Sequence, residues 1–123
     1  RTKPVASRAS GRRDVARDEG LEELLREDLG AEAALTEQAM FGGRAWLLHG
    51  NLLCGASSNG MLVRLGKGQD AWALALADIA PMISGGRRMS GWVRAGPAAF
   101  GDDALRRKLL AAALAFVRAL PPK

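Results

Sequence analysis

Between Asp14 and Leu29, leucines fall at positions 21, 24, 25 and 29, a spacing that gathers them on one side of a helix while Glu and Asp fill the rest. Gly30 stands where such a helix would stop. The spacing predicts an amphipathic first helix with a solvated acidic face, followed by a loop through 31–35. From about Glu37 the apolar residues instead come in short runs, broken at His49-Gly50-Asn51-Leu52 and Ser58-Asn59-Gly60-Met61. Each break offers a two-residue turn, because Gly and Asn tolerate positive φ. Two such turns make a three-stranded meander.

With His49 opposite Leu52 and Ser58 opposite Met61, the register puts Ala45, Leu47, Cys54, Ala56, Val63 and Leu65 on one small apolar face that should pack against helices. The opposite face then carries Leu48 and Leu53, Trp46, Gly55 and Arg64, and Arg44, Ser57 and Leu62. This second face is mixed and only partly suited to water.

Further along, Gln69 or Asp70 is placed to cap a short helix through Ala71–Ala77, with Trp72 and Leu76 on one side and Pro81 beyond its end. Residues 82–95 form a second hairpin around Ser84-Gly85-Gly86-Arg87, with Gly91 as a bulge or a point of close approach. Asp102 or Asp103 caps a long last helix whose stripe is Leu105, Leu109, Ala112, Ala113, Phe116, Val117 and Leu120, and Pro121-Pro122 stops it. The expected fold class is α+β, two layers in the order α-β(3)-α-β(2)-α, with a five-stranded, mainly antiparallel sheet. No internal repeat is visible.

Size and composition agree with one domain over 14–123: the chain has 123 residues and is 48% hydrophobic, enough for a single core. Cys54 is the only cysteine, so no internal disulfide forms, and no apolar run is long enough to span a bilayer. A cytoplasmic location is the expectation. Residues 1–13 carry five cations and no acid, which suggests a flexible basic tail, with a transit-like leader as the alternative. Residues 14–39 hold nine acids against two bases, and 40–123 hold eleven bases against four acids, so most of the net charge of +5 belongs to the tail.

Several motifs together resemble the N-terminal domain of the TfoX/Sxy family. They are Met40-Phe41-Gly42-Gly43 opening the first strand, GNLLCG from Gly50 and Asn51 to Gly55, MLVRLG at 61–66, GGRRMSGWVRA at 85–95, and FVRALPPK at 116–123. The fourth of these stretches contains Gly86, Arg87, Met89 and Gly91, where relatives show a Gly-Arg-x-Met-x-Gly pattern. The resemblance spans about 14–123 and implies a fold similar to secretion chaperones. It also implies a link to the regulation of natural competence, known for long members with a second, C-terminal domain. It supplies no catalytic residues.

Catalytic parts are scarce. His49, the only histidine, sits by a turn with no acid near it in sequence, and Cys54 is expected on the core side of a strand, where a thiol behaves as a small hydrophobe. The expectation is a non-enzyme with no cofactor and no metal. Gly42 and Gly43 either let a strand bend or keep a surface clear for a partner's backbone; Gly85 and Gly86 either make a turn or cradle a phosphate.

Two binding readings remain. In the first, a protein partner or a second copy covers the mixed face through Trp46, Leu48, Leu53, Leu62 and Arg64, so that Trp46→Ser weakens association and leaves the fold intact. In the second, Arg87, Arg88, Arg94, Arg106, Arg107 and Lys108 form a cationic surface for nucleic acid, with Trp92 stacking on a base. Against the second, the same cations would be neutralised if they paired with Glu22, Glu23, Glu27 and Asp28 of the first helix.

Overall fold

The computed structural model describes residues 17–40 and 42–123, so the expected tail at 1–13 and the side chain of Phe41 lie outside the described residues. Helix α1 (Glu19–Leu29) begins where Asp18 accepts a hydrogen bond from the Leu21 amide at 3.0 Å. Six strands follow: β1 (Leu35–Met40), β2 (Gly43–Leu48), β3 (Asn51–Ser57), β4 (Gly60–Arg64), β5 (Ile79–Ser84) and β6 (Arg87–Ala95). Helix α2 (Ala71–Leu74) falls between β4 and β5, and α3 (Pro97–Phe100) and α4 (Asp103–Arg118) follow the last strand. The strands form one antiparallel open sheet in the order β1-β2-β3-β4-β6-β5. The architecture is α+β.

Three expectations need correction. The sheet has six strands, because Leu35–Met40 pairs along β2 from Leu35↔Leu48 to Met40↔Gly43. Its sequence, LTEQAM, lacks alternation because it is an edge strand with its four middle residues exposed, held by backbone bonds rather than by burial. The expectation that the Met40-Phe41-Gly42-Gly43 motif opens the first strand is therefore corrected: Met40 ends β1, Gly43 begins β2, and Gly42 just before it has φ 75. Gly43 is bare for a different reason: a Cβ there would stand 2.0 Å from the Ala56 carbonyl oxygen of β3. The backbone it admits is the chain's own.

The second correction is the register. Leu48 faces Asn51 and Ser57 faces Gly60, one residue earlier than the turn signals imply. His49 itself adopts φ 52 ahead of Gly50 at 81, so the turn is His49-Gly50; a non-glycine residue in the left-handed region is what the sequence reading did not anticipate. The register of β2 against β3 also shifts between Trp46 and Leu47, leaving Leu53 as an extra residue. A slip of this kind exchanges faces. Trp46, Leu48 and Leu53 join Cys54, Ala56, Met61, Val63 and Leu65 in the core, packed with Leu21, Leu25 and Leu29 of α1 and Leu109, Leu110, Ala113 and Val117 of α4. Cys54, Ala56, Val63 and Leu65 are where they were expected; Trp46, Leu48 and Leu53 are not.

Third, α2 covers only four residues, and Pro81 lies in β5 rather than ending a helix. An edge strand tolerates proline, and the pairing with β6 is irregular just after it, between Pro81 and Ile83. The hairpin turn at Ser84↔Arg87 is as expected, and positive φ at Gly85 and Gly86 explains both glycines. Asp102 caps α4 through the Leu105 amide at 3.1 Å. Beyond α4, the Pro121 carbonyl accepts from Asn51 and the Lys123 amide donates to the His49 carbonyl, which ties the chain end to the β2–β3 turn.

Candidate functional site

Strand β4 ends at Arg64 against β6, and the chain then turns sharply. The amides of Leu65 and Gly66 both donate to the Gly91 carbonyl, at 2.8 and 3.1 Å. That approach requires glycine at 91, where φ is 86 and a Cβ would lie 2.5 Å from the Gly66 carbon and the Lys67 nitrogen. The sequence reading of Gly91 as a point of close approach is therefore right. The loop closes through the Gln69 amide onto the Gly66 carbonyl, and α2 starts at once.

Opposite this loop runs the second half of α4, where Ala112 and Ala115 present small side chains beside Phe116. Between the two lies an open groove of about 460 Å³, with Leu65, Trp72 and Phe116 as apolar walls and Lys67 and Gln69 at its polar side. The Phe116 ring rests against Gly66, whose missing side chain makes room for it. Lys108 holds its ammonium 4.8 Å from the centre of the Trp72 ring. The Arg64 guanidinium lies 5.5 Å from the Phe116 ring centre and 5.8 Å from that of Trp92, and donates to the Leu52 carbonyl. Lys67 lines the groove directly, while Arg64 and Lys108 lie against the rings of two of its walls, Phe116 and Trp72.

The charges elsewhere are mostly spent within the fold. Arg106, although a sequence candidate for nucleic acid, is 1% exposed and bonds Asp28 at 2.6 Å, Asp103 at 2.8 Å and the Phe100 carbonyl at 2.9 Å. It joins α4 to α1, which removes it from any binding surface. Arg107 also reaches Asp28, Arg118 pairs with Glu32, and Arg26 spans Glu22, Glu23 and Glu37. The pairing of the late cations with acids of the first helix therefore holds for Asp28. By contrast, Arg64, Lys67 and Lys108 have no carboxylate within 4.0 Å among the described residues.

The other predicted site residues scatter. Arg88 approaches Asp70 at 4.0 Å, Arg87 is exposed at the hairpin turn, and Arg94 bonds the Asn59 carbonyl near the β3–β4 turn. Trp92 is half-buried beside Arg64. On the proposed partner face, Trp46, Leu48, Leu53 and Leu62 are each at most 4% exposed, so only Arg64 of that set reaches a surface. Among the described residues the large exposed apolar side chains are Leu76, Ile83 and Met89, the last two on the β5–β6 hairpin.

His49 is an exposed turn residue. Cys54 is fully buried, and burial pushes its thiol well above the ordinary range, so it holds no reactive thiolate. Among the described residues no three His, Cys, Asp or Glu side chains gather as a metal cluster, and no helix is long and apolar enough to cross a membrane. The groove itself was hidden in the sequence: Trp72 and Phe116 fall at helical spacing and look like core positions. The signal that marks them is the pair of alanines at 112 and 115, which leaves space beside Phe116. Compared with family models, with curated proteins and with solved structures, the chain finds no match.

Proposed function

We infer that this chain is a non-enzymatic regulatory or protein-interaction domain that engages its partner through the groove between α4 and the β4–α2 loop. One observation carries the reading: a largely apolar cleft of about 460 Å³ is lined by Lys67, and two of its aromatic walls, Phe116 and Trp72, carry Arg64 and Lys108 against their rings, all three cations without a carboxylate partner among the described residues. Concave apolar sites with a few placed polar groups are where ligands and partner side chains are taken up. The motif resemblance to TfoX/Sxy N-terminal domains supports a regulatory role, of the competence type or one related to it.

Nucleic acid is the second reading, favoured by the placement of Arg64 and Lys108 against Trp72, Trp92 and Phe116. A photo-crosslinking residue at Ala115, compared with one at exposed Ala104 on the first turn of α4, separates the two. Discrete adducts that resist nuclease, are digested by protease and form only from position 115 are expected. Nuclease-sensitive adducts would favour the second reading, and equal labelling from both positions would contradict a groove site.

A further inference from the structure

Resting on that reading, we propose that the groove takes an acidic peptide segment that inserts one bulky apolar side chain between Trp72 and Phe116 and lays flanking carboxylates on Lys67, Lys108 and Arg64. The volume suits this occupant: about 460 Å³ accommodates one or two large side chains, and the walls at Leu65, Ala112 and Ala115 offer an inserted group no hydrogen-bond partner. A nucleobase laid between Trp72 and Phe116 would meet polar groups only on the side of Lys67 and Gln69 and would leave the rest of its polar edge against Leu65, Ala112 and Ala115, which costs free energy. An apolar side chain has no such loss.

Charge complementarity sets the sign of the partner. Lys108 is poised over the Trp72 ring, and the Arg64 guanidinium lies 5.5 Å from the Phe116 ring centre and 5.8 Å from that of Trp92, with one of its nitrogens bonded among the described residues, to the Leu52 carbonyl at 3.4 Å. Both keep N–H donors free for a carboxylate. Asp70, next to Gln69 in sequence, lies 4.0 Å from Arg88. The chain's own acidic helix does not serve as the occupant, because Glu22 and Asp28 of α1 are bound to Arg17, Arg26, Arg106 and Arg107.

A random-peptide display library selected on the full chain, its enriched peptides then compared on the full chain and on Ala115→Glu, tests this without presuming a sequence. Ala115 is exposed on a helix, so glutamate there fills and recharges the groove without disturbing the core. Enriched peptides should place Asp or Glu around a Leu, Phe, Trp or Met. Synthetic versions should lose affinity about tenfold or more on Lys67→Glu or Lys108→Glu, and regain it when their acids are replaced by lysine. Arg94→Glu, by the β3–β4 turn, should change little. Enriched peptides that are sensitive to Ala115→Glu but carry no acidic bias would overturn the acidic partner and leave the groove as an interaction site. Peptides indifferent to Ala115→Glu would overturn both, and a labelled single-stranded oligonucleotide that binds where no peptide does would favour nucleic acid.

Discussion

Trp46 shows how one residue's fate depends on one turn. Read from the turn signals alone, it belongs on an outer face; because His49 itself adopts positive φ and Leu53 bulges out of register, it lies in the core at 4% exposure. Trp46→Ser is therefore expected to destabilise the chain by about 3–5 kcal/mol, as large core truncations do, and to lower the thermal midpoint rather than an association constant. Thermal unfolding followed by circular dichroism decides it: an unchanged midpoint would return Trp46 to the surface. The close approaches at Gly43 and Gly91 were partly legible, since glycine signals that something comes near but not what. In both places the neighbour proves to be the chain's own backbone, at Ala56 and at Gly66 and Lys67.

Among elements, α1 is the one whose attachment is electrostatic as well as apolar. Its leucines fill the core, while Asp28 fastens to Arg106 of α4, and Arg26 reaches Glu37 of β1. Asp28 and Arg106 are 6% and 1% exposed at their side chains, so removing either leaves the other a buried charge with only its lesser partner, Arg107 for Asp28 and Asp103 for Arg106, at a cost of up to about 3–5 kcal/mol. Hydrogen bonds from Arg17 and from Arg26 hold the carboxyls of Glu22 and Glu37 below the ordinary carboxylate range. Burial pushes Asp28 up, but the bonds from Arg106 and Arg107 outweigh it and keep it low as well. Carboxylates lowered in the folded state stabilise fully above their unfolded values, about pH 4, and lose that contribution as pH falls through the folded ones. Hydrogen-exchange protection of Glu19–Leu29 is thus expected to fall below about pH 4 before that of β3, β4 and α4. Simultaneous loss across all elements would contradict it. The positions of α1 and α4 were readable from their leucine spacing and caps; α3, one turn after Gly96, was not, and neither was β1, because an exposed edge strand needs no apolar pattern.

For the whole molecule, the fold class and most of the element order follow from hydrophobic period and turn residues, whereas the groove arises only when α4, the β4–α2 loop and the β4–β6 pairing meet. Its walls come from Leu65, Trp72 and Phe116, distant in sequence and each unremarkable in its own segment. Charge behaves likewise: a cationic cluster that looks continuous along 106–108 is divided by folding, with Arg106 buried against Asp28 and Lys108 turned to the Trp72 ring. Burial and pairing thus decide which cations are free to bind, and proximity in sequence does not. The most direct measurement is an amide and methyl chemical-shift titration of the labelled full chain with a short peptide of glutamates flanking a single phenylalanine. The expected result is a saturable set of shifts centred on Leu65, Lys67, Trp72, Ala112, Ala115 and Phe116 and weakened by Ala115→Glu. Shifts centred instead on Ile83 and Met89 of the β5–β6 hairpin, or on α1, or no shifts at all, would contradict the groove as the binding surface of this protein.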